Sequence, residues 1–89
     1  MKQQRKKAYK RKQVFDSEGL EVFAIQLKKI RMSKDYTQRQ LAFESGLSLS
    51  QIARIETSRI NPTLSTIFTI ARTLEIPLSE LFNFELPDK

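Results

Sequence analysis

The sequence predicts an all-α fold, a single bundle of five helices, on three observations. Apolar residues recur at intervals of three and four, helix-start and helix-stop residues alternate along the chain, and no alternating apolar–polar run reads as a strand. With 89 residues there is room for one domain.

Residues 1 to about 16 are expected to form a flexible basic arm. They hold Lys2, Arg5, Lys6, Lys7, Lys10, Arg11 and Lys12 with few apolar side chains, so burial cannot offset the entropy of ordering them. The folded domain is expected over 17–84, with 85–89 as a tail. Its first helix, about 18–33, buries Leu20, Phe23, Ala24, Leu27 and Ile30 on one face. Lys34 and Asp35 make the turn that follows, Asp tolerating a left-handed helix stop better than most residues.

Thr37 opens the second helix with a capping box to Gln40, and Tyr36 staples onto Leu41. Leu41, Ala42 and Ser45 face inward until Gly46 ends the helix in the left-handed conformation. The device then repeats: Ser48 with Gln51 as a second box, and Leu47 with Ile52 as a second staple, start a third helix over about 48–57. Ser58 to Pro62 reads as a polar loop, since Pro62 disfavours helix at Asn61. Thr63 caps a fourth helix, 63–74, with Leu64, Ile67, Ile70, Ala71 and Leu74 inside. Pro77 begins a short fifth, about 77–83, with Leu78, Leu81 and Phe82 apolar.

Composition narrows the function. Cysteine and histidine are both absent, which removes disulfides, thiolate nucleophiles, the commonest metal ligands and the usual neutral-pH base. No enzyme activity, metal or cofactor is expected, and a soluble cytoplasmic protein is, because no apolar run approaches membrane length. The net charge of +6 is concentrated in residues 1–13, which hold seven basic side chains and no acid; the other 76 residues hold nine basic and ten acidic side chains. Such an arm fits a polyanionic partner or is simply a solvated tail.

Two short capped helices joined by a glycine turn form the unit in which one helix presents the next outward. From Gln38 to Thr57 the chain reads QRQLAFESGLSLSQIARIET. Ala42 is small where the two helices cross, Gly46 supplies the turn, and Leu47, Ile52 and Ile55 fill the wedge between them. With the flanking R-x5-T-Q from Arg31 to Gln38 and E-x5-P-T from Glu56 to Thr63, this resembles the Cro and phage-repressor helix-turn-helix family of transcription regulators, over about residues 20–84.

The resemblance implies a lambda-repressor-like domain that lays the third helix in the major groove of double-stranded DNA and binds as a homodimer. The positions matching the family's base readers are Ser48, Leu49, Ser50, Ala53, Arg54 and Thr57. Arg54 has the clearest chemistry, two donors for guanine O6 and N7; the alternative is an exposed arginine touching only phosphate. Leu49 meets a thymine methyl or covers the helix start, and Ser50 bonds a base or a phosphate. Gln38, Arg59 and Asn61 match phosphate contacts. Arg31 and Glu56 match an ion pair that ties the first helix to the end of the third. Leu78, Leu81, Phe82 and Phe84 are the implied dimer interface. Lys28, Lys29 and Lys34 are expected to be hydrated surface. Phe43 stands where the family is polar, so it either receives the Val14–Phe15 segment, the preferred reading, or meets a partner. The alternative function is an antitoxin that neutralises a protein toxin and uses DNA binding for autoregulation.

Overall fold

The computed structural model describes residues 14–88. Among them every regular element is a helix: α1 (Ser17–Ser33), α2 (Gln38–Ser45), α3 (Leu49–Glu56), α4 (Leu64–Leu74) and α5 (Leu78–Leu81). The basic stretch from Lys2 to Lys12, expected as an arm, lies outside the described residues.

The starts of α1 to α4 are set by side chains that accept from otherwise orphaned backbone N–H groups. The Asp16 carboxylate accepts from Gly19 N at 2.9 Å, so Asp16 belongs to the domain rather than to the arm. A Cβ at Gly19 would lie 3.1 Å from Asp16 Oδ2 and 3.4 Å from Leu86 Cδ2, so a larger residue there would push on the capping carboxylate. Thr37 and Gln40 form both bonds of the expected capping box, at 3.0 and 2.9 Å. The second box is half made: Ser48 Oγ accepts from Gln51 N at 3.0 Å, with no reciprocal bond from the Gln51 side chain. Thr63 caps α4 through Thr66 N at 3.2 Å.

The stops use the left-handed conformation four times. Gly46 has φ 80°, as expected, and Asp35 φ 61°; Ser58 (φ 56°) and Glu75 (φ 57°) adopt it without being glycine. The fifth helix is a single turn rather than the stretch 77–83, because Phe82 leaves the helix. Its ring stands 5.3 Å from that of Phe23 and 6.2 Å from that of Phe84.

One core joins all five helices: Phe23, Leu27 and Ile30 from α1, Leu41 and Ala42 from α2, Ile52 and Ile55 from α3, Ile67, Ile70, Ala71 and Leu74 from α4, and Leu81 from α5. Helix α3 packs against α1 and α2, α2 also meets α4, and α5 closes the gap between α1 and α4. Gln26 Nε2 fastens that closure by donating to Glu80 O at 2.9 Å.

Several side chains depart from their expected places. Leu64 is 67% exposed rather than inward, because the buried stripe of α4 begins one turn later at Ile67. Leu20 is only half-buried. Phe43 is 87% exposed and Val14 85%, so the Val14–Phe15 segment does not cover it. Lys34 is not mere hydrated surface: its Nζ donates to Leu74 O at 2.9 Å, a cation on the orphan carbonyls at the end of α4. Leu86, placed in the tail, lies against the start of α1 and lines an apolar groove with Leu20, Phe23, Phe82 and Phe84.

Candidate nucleic-acid interface

Helix α3 has two contrasting faces. Ile52, Ile55 and Glu56 point into the body, while Ser48, Leu49, Ser50, Arg54 and Thr57 are exposed and Ala53 is half-buried. All six expected base-reading positions therefore lie on or beside one outward surface. Nothing in the described chain covers the Arg54 side chain, which makes no hydrogen bond or ion pair with another described residue. Its donors are free for a ligand.

The hydroxyls on this face differ in what remains to them. Ser48 Oγ accepts from Gln51 N and keeps its own proton to donate. Thr57 Oγ1 donates its proton to Ala53 O at 2.9 Å, so towards an outside group it only accepts.

The inward face of α3 is held by a buried ion pair. Arg31 Nε donates to Glu56 Oε2 at 2.6 Å and Nη2 to Oε1 at 3.0 Å, with the two side chains 8% and 1% exposed. Arg31 Nη1 also donates to Tyr36 O at 2.7 Å, joining the pair to the turn before α2. This is the bidentate pair expected from Arg31 and Glu56, and its planar fork fixes angle as well as distance.

Gln38 completes the arrangement in a way the sequence did not disclose. Its Nε2 donates to Glu56 Oε1 at 2.9 Å, so the carboxylate at the end of α3 is gripped from both α1 and α2. One hydrogen of the side chain expected to reach a phosphate is thus turned inward onto Glu56, and the backbone N–H of Gln38, at the first position of α2, has no partner within the helix. Tyr36 braces the same region: its hydroxyl donates to Glu44 Oε1 at 2.7 Å. That bond, then desolvation and the charges of Glu44 and Glu75, hold its pKa above the ordinary 10.0.

Arg59 and Asn61 are both exposed in the α3–α4 loop. Asn61 lines the apolar groove with Pro62 and Phe82, and Arg59 is the charged residue of the two. Next to that groove, Leu81 is wholly buried in the chain's own core and leaves the expected dimer surface, which keeps Leu78, Phe82 and the half-buried Phe84. A cleft of about 600 Å³ between the α1–α2 turn and α3 is lined by Met32, Thr37, Gln38, Leu49 and Arg39, the last unassigned by sequence reasoning.

Residues 27–81 match the family model described as Helix-turn-helix, HTH_3. The chain belongs to this helix-turn-helix family. The resemblance read from Gln38 to Thr57 is thus borne out. Among curated relatives, the immunity repressor protein of Bacillus phage phi105 is 42% identical over 59 residues, which cover 66% of this chain and 41% of that protein. The HTH-type transcriptional regulator SlrR of Bacillus subtilis is 41% identical over 56 residues, 62% of this chain and 37% of that one. The chain thus spans about two-fifths of the length of these relatives.

Solved structures in the family match over a larger share. The restriction-modification controller protein C.AhdI from Aeromonas hydrophila superposes with a TM-score of 0.69 at 36% identity, covering 71% of this chain and 96% of that one. The controller C.Esp1396I, solved as a tetramer in complex with its natural 35 base-pair operator, gives a TM-score of 0.66 at 33% identity over 71% and 83% of the two chains. No helix among the described residues is long and apolar enough to cross a membrane.

Proposed function

We propose that the chain is a sequence-specific DNA-binding transcription regulator of the repressor kind, acting as a dimer. The observation that carries this is the division of α3: one face clamped by Arg31, Glu56 and Gln38, the other exposed with Arg54 unpartnered among the described residues. A short helix held rigidly and outward fits the major groove, about 12 Å wide. The naming of its relatives as repressor and regulators, and the operator-bound state of C.Esp1396I, support the same reading.

On this reading Arg54 donates two hydrogen bonds to guanine O6 and N7, Ser48 and Ser50 donate to base or phosphate acceptors, and Leu49 contacts a thymine methyl. Arg59 and the Gln38 backbone amide position the helix on the phosphates. Leu78, Phe82 and Phe84 supply the contact between two copies, so that two α3 helices meet successive turns of one duplex face. Binding weakens steeply with salt, through counterion release.

Selection of bound sequences from a random duplex pool tests this directly. The expected product is a two-fold symmetric site with half-sites about one helical turn, roughly 34–36 Å, apart. Arg54→Ala loses preference at one base pair per half-site, by about 1–3 kcal/mol, while the melting temperature stays put. A pool that shows no enrichment overturns the proposal.

A further inference from the structure

The family pattern gives the grip on phosphate at the start of α2 to Gln38, yet the fold turns that carboxamide onto the buried Glu56 carboxylate. The neighbouring residue goes the other way. Arg39 is exposed, makes no ion pair or hydrogen bond with another described side chain, and lines the cleft that Leu49, the first residue of α3, also lines. A strand passing Leu49 therefore passes Arg39 as well.

We infer that Arg39 is a backbone-phosphate contact at the rim of the groove that α3 enters, taking the side-chain role that Gln38 has exchanged for holding Glu56. The inference rests on the proposed function and deepens it by adding one cation to the DNA surface. Phosphate is the target rather than a base edge because Arg39 stands on the helix before the reading helix, which in this type of docking crosses the backbone. A guanidinium suits that target, presenting parallel donors to two phosphate oxygens. The same cleft holds one acid, Asp35, which forms no ion pair with Arg39. Asp35 repels the strand that Arg39 attracts.

Charge at this place is therefore readable without disturbing the fold. Arg39 is exposed, and Asp35 has a left-handed φ of 61° that asparagine also tolerates. Affinity is measured by fluorescence anisotropy over a range of salt concentrations. The probes are the duplex enriched from the random pool and a random duplex of equal length. For Arg39→Gln the slope of log affinity against log salt falls by about 0.9 on both duplexes, with unchanged base preference and melting temperature. Arg39→Lys keeps the wild-type slope, and Asp35→Asn binds both duplexes more tightly by a common factor. An unchanged slope in Arg39→Gln, or a loss confined to the enriched duplex, overturns the inference. If the wild-type chain enriches no sequence but the Arg39→Gln slope still falls, the proposed function fails and this contact stands. If the wild type selects a site and the slope does not move, this contact alone fails.

Discussion

Replacing Arg31 by alanine removes three hydrogen bonds at once, two of them to a carboxylate whose side chain is 1% exposed. Glu56 is then left with the 2.9 Å bond from Gln38 and no counter-charge. Stranding one partner of a buried pair costs about 3–5 kcal/mol. The total stability of a domain is roughly 0.05–0.15 kcal/mol per residue, about 4–11 kcal/mol for a stretch of this size. The loss is therefore at least about a quarter of the fold's stability and, at the low end of that range, all of it. Urea unfolding followed by circular dichroism should show the midpoint of Arg31→Ala lowered by about a quarter or more of its wild-type value, and DNA binding should weaken in step with the fraction folded. The double variant Arg31→Met, Glu56→Leu removes both charges and keeps the volume, so folding should return. An Arg31→Ala protein with the wild-type midpoint but no DNA binding refutes the reasoning, since it makes the pair part of the DNA contact rather than of the scaffold.

Other consequences are as direct. Gly46→Ala should cost about 1 kcal/mol in urea unfolding, purely through the backbone, because a Cβ at φ 80° meets nothing within 4 Å; Gly46→Asn should lose less. Leu81→Ala should destabilise the chain by about 2–5 kcal/mol by opening a cavity in its core, whereas Leu78→Asp should leave the melting temperature near wild type and shift sedimentation towards the monomer. The raised pKa of Tyr36 stabilises the fold below the ordinary 10.0, and that contribution is lost as pH climbs through the folded value. Tyr36→Phe should flatten this alkaline decline and remove from the phenolate absorbance a component that titrates above the ordinary 10.0.

Why some of these features were legible and others were not follows from the range of the interactions. The capping boxes, the Gly46 stop and the buried stripe of α1 depend on residues three or four apart, and the chain reads them out locally. The reading failed where a second element intervened. Leu64 follows the spacing of α4 but starts it one turn before the buried stripe, and Phe43 has no covering segment among the described residues. Ser58 and Glu75 adopt left-handed stops that their residue types do not announce; the bonds of Arg59 N to Arg54 O and Ile76 N to Ala71 O hold them there. Leu81, apolar at a helix end, looks the same in one dimension whether it meets the chain's own core or a second copy.

By itself the sequence determined that this chain is helical, where its reading helix begins and ends, and which side chains that helix carries, because hydrophobic spacing and caps act within a turn or two. The tertiary structure alone decided which polar groups are already committed to one another. Gln38 and Lys34 look free for DNA or water in the sequence, but the fold brings a buried carboxylate to one and an orphan carbonyl to the other. Each pairs with an acceptor that packing brings within hydrogen-bonding distance, and that neighbour lies 18 residues away for Gln38 and 40 for Lys34.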